Sequence, residues 1–380
     1  MELLDHIITV GGLLLRSLNI LFIIMIITFV HEIGHYLIGR WCGIKASVFA
    51  LGFGPQIVEY TDKHNTQWRL ALIPLGGYVK FIGDREDMTS FQSSSDAKGS
   101  FANAYAWKKA VTVFGGPLFN GLFTVFILTF FFFLYGRVVI EPVVGSLVKD
   151  SPAFQAGLER GDRFLEMNGQ RVESFNDLMN YVILYGKDPI EFKIERMGQV
   201  FTAVITPKVI ERDDGSGNRF QTSMIGIGIP VDPDNSARLD PAYVKHINYG
   251  FVRAVKEALV RATFIVTRTI FSMSRLIVGK EDRCQISGPS KIMKVAWKVS
   301  ETGFAFLLNF AAFLSISIGL LNLFPLPPFD GGYLLFHVIE VFTGKPISAK
   351  TQKIVFRLGY LFIFFFMIFA FFNDYFCWFS

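Results

Sequence analysis

"FVHEIGHYLIGR", Phe29 to Arg40, closes the apolar run "LNILFIIMIITFV" with two imidazoles and a carboxylate. His31 and His35 stand four apart, so a helix carries both on one face. That is the spacing of two zinc ligands, with Glu32 beside them as a base. Ionisable groups at membrane depth are expensive and rarely accidental. Two other readings compete: a proton relay, or polar groups that cap a helix at the interface.

The bulk composition agrees with a membrane setting. Of 380 residues, 51% are apolar, 18% are charged and 42 are Phe, whereas soluble domains carry about a quarter charged residues. The net charge of +5 suits the cytoplasmic loops of a membrane protein and gives no sign of nucleic-acid binding. Cys42, Cys284 and Cys377 lie far apart with no CxxC spacing. That indicates neither a thiolate zinc site nor a disulfide framework, and the three read as chance scatter.

Uncharged apolar runs define the spans. Ser17 to Val30, with its flanks, makes a first span of about 25 residues. No small-residue cleavage site follows it, so it is expected to be a retained helix. Val111 to Gly136, Gly303 to Leu323 and Leu358 to Asn373 make three more. Lys and Arg concentrate in two segments, Arg40 to Lys109 and Lys345 to Arg357. Both should therefore be cytoplasmic, with both termini outside. The resulting division is 1–40 (first span), 41–110 (cytoplasmic loop), 111–136 (second span), 137–232 (external domain), 233–302 (linker and amphipathic helix), 303–337 (third span) and 338–380 (loop and fourth span). Phe251 to Val278 cannot span, because Arg261, Arg268 and Arg275 recur every seven residues. It is expected to lie on the outer membrane surface, or else to pack on a soluble domain.

The segment from Glu141 to Pro230 reads as mixed α/β. Asn168-Gly169 and Met197-Gly198 predict tight hairpin turns, and Ser174 predicts the cap of a helix over Phe175 to Val182. "SPAFQAGLERGD" followed by "FLEMNGQRV" resembles the bacterial form of the PDZ domain. The resemblance implies a peptide held along a sheet edge, with a groove expected at Val143, Val144 and Gly145. A domain that merely obstructs access is the alternative.

A catalytic zinc takes three protein ligands and keeps one position open. The third ligand should be Asp, Glu or His from another span at the same depth. Asp330, in "NLFPLPPFDGG" (Asn322 to Gly332), is the candidate, because spans one and three run in the same direction and both motifs fall at their inner ends. Pro325, Pro327 and Pro328 forbid a regular helix there, and irregular backbone is tolerated at that depth only around a cavity or inside protein. His337 is the other option.

These motifs together resemble the site-2 protease family of intramembrane metalloproteases, and its regulator-of-sigma-E-protease branch in particular. "FGGPLFNG" matches the family's Gly-Pro-x-x-Asn pattern through Gly116, Pro117 and Asn120; "ISGP" (Ile286 to Pro289) and "FND" (Phe372 to Asp374) also match. The resemblance implies zinc held by His31, His35 and Asp330, with Glu32 as the base. It implies that Asn322 contacts the substrate backbone, with Asn120 also among the substrate-binding residues. "KASVFALGFGPQIVEY" and "QWRLALIPLGGYVKF" read as β-hairpins, which the family places as a sheet re-entering the membrane. A peripheral cap is the plainer alternative. An edge at Pro74, Leu75, Gly76, Gly77 and Tyr78 would hold an unwound substrate by strand addition. Well-known relatives carry two tandem PDZ domains, and this chain shows one.

The expected architecture is a polytopic α-helical membrane protein with four transmembrane helices, a re-entrant β-hairpin and one extracytoplasmic α+β PDZ domain. The expected activity is zinc-dependent cleavage of transmembrane segments in a bacterial inner membrane. Substrates would be single-pass membrane proteins, either an anti-sigma factor after a first cut or remnant signal peptides, and the enzyme would be a monomer. A PDZ-bearing adaptor is the rival reading, but an adaptor has no need of Glu32. A transporter would want polar groups along several spans, and here they cluster at one end.

Overall fold

The computed structural model describes residues 2–83, 99–186, 188–213, 219–232, 238–277, 295–299 and 303–379. "ISGP" and Cys284 fall outside them. The chain divides into two compact units, one of residues 1–131, 251–277 and 287–372, the other chiefly of residues 132–250.

In the first unit, helices α1 (Glu2–Trp41), α2 (Ala106–Tyr135), α6 (Phe304–Asn322) and α8 (Ala349–Phe379) are each long and apolar enough to cross a membrane. The protein is therefore a membrane protein. Large apolar side chains on α8, among them Phe362, Phe364, Phe365 and Phe372, are exposed, as a lipid-facing surface requires. The last helix begins nine residues before Leu358, so Lys350, Lys353 and Arg357 are helical rather than in a loop. Charge marks the watery turns of a helix without ending it.

Small residues set the helix crossings. A Cβ on Gly34 would lie 2.4 Å from the Gly115 carbonyl oxygen, and one on Gly115 would lie 2.6 Å from that of Gly34. The two backbones thus touch where α1 crosses α2. Helix α6 is tied to α2 by Ser315 Oγ donating to the Asn120 carbonyl at 3.0 Å, and by Thr124 Oγ1 donating to the Ala312 carbonyl at 3.1 Å. Such bonds and close contacts are what hold helices together in lipid.

Helix α6 stops at Asn322, and a separate helix, α7 (Asp330–Thr343), begins after the proline segment. The break was expected from the prolines; a second helix at Asp330 was not. Gly331 packs against the Leu323 carbonyl so closely that a Cβ would sit at 2.3 Å. The chain thereby folds back on the end of α6.

Between α1 and α2 lie two long bent strands, β1 (Ala46–Thr61) and β2 (Gln67–Phe81). Residues 46–51 pair on one side with 77–81 (Ala46 with Phe81, Leu51 with Gly77) and on the other with 67–70 (Val48 with Gln67, Leu51 with Leu70). Among the described residues the ladder pairs of the 77–81 segment are all with 46–51, so it forms an edge of that sheet. Phe49 stacks on Trp68 at 4.4 Å, and both meet Tyr36 of α1 edge-on, which fixes the sheet to that helix. At the far bend Phe53, Leu72 and Ile73 are exposed.

Asp62 closes the turn between the strands. Its Oδ1 accepts from the His64 and Thr66 amides at 2.8 and 3.0 Å, and its Oδ2 from Trp68 Nε1 at 3.1 Å and Tyr36 Oη at 3.3 Å. Partial desolvation pushes its pKa up, but the hydrogen bonds from Thr66, Trp68, His64 and Tyr36 outweigh that and hold it at about 2, against the usual 3.8. A carboxyl depressed in this way stabilises the fold above its ordinary pKa and stops doing so as pH falls through the depressed one. The turn should therefore loosen between about pH 4 and pH 2. Tryptophan fluorescence should report the step, and Asp62→Asn should remove it.

The second unit holds a four-stranded antiparallel sheet in the order β6-β5-β7-β8: β5 (Arg163–Met167), β6 (Gln170–Arg171), β7 (Ile190–Arg196) and β8 (Gln199–Ile205). Asn168 and Gly169, and Met197 and Gly198, all have positive φ, as primed hairpin turns require. Helix α4 (Phe175–Tyr185) is capped by Ser174, whose side chain accepts from the Asp177 amide. Its Leu178 and Val182 join Phe164, Ile190, Phe192 and Ile194 in the core.

The expected peptide groove at Val143, Val144 and Gly145 is corrected here. Val143 and Val144 are buried, and all three amides are already bonded, to the carbonyls of Glu141, Asp162 and Gly228. Strand β4 (Ser146–Leu147) pairs with β11 (Ile227–Gly228), so its edge is taken. Ile227 sits opposite Leu147, while Val148 N–H donates to the Gly226 carbonyl. Alternation along an antiparallel ladder then turns Ile227's own N–H and C=O away from β4.

Candidate active site

Helix α1 delivers His31, Glu32 and His35 to one place, all three buried. Helix α7 delivers Asp330 in its first turn, where the helix dipole favours a carboxylate. Three atoms converge. His31 Nε2 and His35 Nε2 are 3.3 Å apart, and Asp330 Oδ2 lies 3.0 Å from the first and 3.4 Å from the second. Tetrahedral zinc with bonds near 2.0–2.1 Å separates its ligand atoms by about 3.3 Å. The triangle has those dimensions.

The bonding pattern is equally telling. Asp330 Oδ2 is buried and, despite its closeness to both rings, makes no properly aimed hydrogen bond. These atoms point toward a shared centre rather than at one another. Two unprotonated ring nitrogens facing each other at that distance repel unless a cation lies between them. Gly116 of α2 leaves the needed room, since a Cβ there would lie 2.3 Å from His35 Nε2. A divalent ion fits this donor set.

The outer nitrogens of the two rings are also held. His35 Nδ1 donates to the Thr112 carbonyl at 3.0 Å, which leaves Nε2 free to bind metal. Asn120 lies 3.3 Å from His31 Nδ1 and is fully buried, with its Oδ1 unpartnered when Nδ2 faces the ring. Turning the amide would let Oδ1 accept from Nδ1–H, the tautomer that leaves Nε2 for a metal. Asn120, expected to touch substrate, instead sits behind a histidine, outside the cavity lining. Thr112 gave no signal in the sequence because its contribution is a backbone carbonyl.

A cavity of about 420 Å³ opens over the triangle, lined by Thr28, Glu32, Gly77, Tyr78, Asn322 and Tyr333 among others. Gly77 is a matter of space, since a Cβ there would lie 3.0 Å from Glu32 Cγ. The cavity is thus bordered by the 77–81 edge, with Gly76 also in its wall. Pro74 and Leu75 precede it in the same strand, and their side chains lie outside the described residues. Asn322 Nδ2 lies 3.3 Å from His31 Nε2, so its amide faces the centre.

A model of peptidase family M50 matches residues 19–366. The chain belongs to peptidase family M50. It is 74% identical to the "Putative zinc metalloprotease" of Bartonella henselae, over 94% of this chain and 100% of that one. A protein of Brucella suis with the same description is 42% identical over 93% of each chain. "Metalloprotease MmpA" of Caulobacter vibrioides is 30% identical over 96% of each. Among solved structures, the PDZ domain of an SdrC-like protein of Listeria innocua is 26% identical, covers 23% of this chain and 92% of its own, and gives a TM-score of 0.20.

This M50 protein is accordingly a zinc metalloprotease of the site-2 protease family, and zinc is its metal. Among the described residues, the group able to hold a metal is His31, His35 and Asp330. His337 is occupied elsewhere in the M50 chain: its Nδ1 lies 3.2 Å from Glu340 Oε2, and Lys109 Nζ reaches the other Glu340 oxygen at 3.1 Å. Removing one partner of such a half-buried pair commonly costs several kcal/mol. The cluster therefore anchors α7, the helix that carries Asp330.

Proposed function

We propose that this protease cuts transmembrane segments of single-pass membrane proteins. His31, His35 and Asp330 would hold the zinc and Glu32 would act as the base. The observation that carries the reading is the meeting of the donor triangle, Glu32 and a strand edge in one cavity. A transmembrane helix hides its carbonyls in its own hydrogen bonds, so it must be unwound before it is cut. The 77–81 edge offers backbone groups to which an unwound strand can add. The exposed apolar bend at Phe53, Leu72 and Ile73 supports entry of that sheet into the membrane.

Bound zinc supplies an activated water and a polarised carbonyl. Glu32 would take a proton from the attacking water and return it to the leaving amine. Asn322 donates to the substrate backbone and orients it. His35 is held by the Thr112 carbonyl and His31 by Asn120, so neither ring turns during the cycle.

In our reading the site faces the cytoplasm of a bacterial inner membrane, and the second unit is external and of PDZ type. Substrates are an anti-sigma factor trimmed by a first protease, or remnant signal peptides. The second unit would filter them, with any peptide adding along Ile227 of β11. To test the reading, the purified chain is reconstituted in lipid with a single-helix substrate. Cleavage should stop on treatment with a zinc chelator and return with added zinc. Cleavage that survives chelation overturns it.

A further inference from the structure

A second cavity, of about 370 Å³, lies at the other end of the spans. Helix α5 (Phe251–Ile277) forms one wall with Arg261, Phe264, Ile265 and Arg268, and α6 forms the other with Phe306, Phe310 and Phe313. From Asn309, which also lines it, the α6 axis rises about 20 Å to Asn322. The groove therefore sits roughly two-thirds of a hydrocarbon thickness from the metal site, near the opposite membrane surface.

Its chemistry is lopsided. Two guanidinium-bearing side chains enter an otherwise largely apolar groove, and no acidic residue lines it among the described residues. Arg261 lies over the Phe264 ring at 5.5 Å. Arg268 is only half exposed and makes no hydrogen bond or ion pair among the described residues. A partly desolvated cation on an apolar wall calls for an anion. Guanidinium groups favour phosphate, which they grip with two parallel bonds.

We propose that this groove binds an anionic phospholipid, with the headgroup phosphate on Arg268 and Arg261 and an acyl chain along Phe306, Phe310 and Phe313. The depth matches a headgroup, and the walls match the chain attached to it. An acidic peptide would supply the charge but not the apolar tail. The bound lipid would pin the amphipathic helix α5 to α6.

The test uses the full chain in detergent with phosphatidylglycerol, retained lipid being counted by native mass spectrometry. About one phosphatidylglycerol per chain should survive washing, in preference to phosphatidylcholine. Arg268→Gln should cut retention about tenfold, the value of one charge-assisted bond. Arg268→Lys, which keeps the charge but not the fork, should fall between. Arg171→Gln, in the other unit, should behave as wild type. Equal retention by wild type and Arg268→Gln overturns the proposal. So does displacement by millimolar inorganic phosphate, which would mark a site for free anions. The graded order of the two Arg268 variants, at unchanged helical circular dichroism, separates lost binding from misfolding.

Discussion

Glu32→Gln should keep its zinc and lose its activity. The carboxylate lies outside the triangle of His31, His35 and Asp330, so the ligand set is untouched. The amide has almost the same shape and suits a buried wall beside Gly77. What it lacks is the ability to take a proton, and positioned acid–base groups contribute about 10²–10⁴-fold in rate. A drop of that size is expected for cleavage of a membrane-embedded helix, with metal analysis showing a full complement of zinc. If cleavage persists near the wild-type rate, the base lies elsewhere. If zinc is lost as well, the carboxylate is a ligand.

Asp330→Ala should do the opposite and empty the site. It removes one of three converging atoms and leaves two imidazoles facing each other at 3.3 Å. Changes to the groups that merely support ligands cost about 10–100-fold in metal affinity, so losing a ligand should exceed that. Asp330→Asn keeps one oxygen without the charge and should rank between. Competition with a chelating dye measures the affinity, and helical circular dichroism checks the fold. Val341→Ala is the matched control, because it sits on the same helix but is exposed, away from the donor atoms. An unchanged zinc affinity in Asp330→Ala would send the search to another residue.

The proposed site was legible in the sequence where the information was local. The four-residue spacing of His31 and His35 is a property of any helix, and the apolar run around them makes that helix certain to form. Asp330 was reachable because spans one and three run in the same direction and prolines mark a break. Hairpin turns at Asn168-Gly169 and Met197-Gly198 were legible from residues that tolerate positive φ. What escaped was long-range. Which strand covers β4 is decided by Ile227 and Gly228, some eighty residues later in the chain, and no local pattern announces it. The expected groove at Val143 to Gly145 failed for that reason. The supporting carbonyl of Thr112 was equally invisible, since every residue has one. The placement of Asn120 behind His31 follows from the Gly34–Gly115 contact, which sets how closely α2 lies against α1.

The division of the donor triangle between α1 and α7 bears on how the cell makes this protein. Synthesis and membrane insertion proceed from the N-terminus, so His31 and His35 enter the lipid long before Asp330 leaves the ribosome. Until α6 has inserted and the chain has turned back through its prolines, the nascent protein holds only two of the three proposed donors. A hydrolase assembled this way stays inert throughout its own biogenesis, when it is surrounded by the translocating helices of other proteins. Truncated products of interrupted translation would be harmless for the same reason.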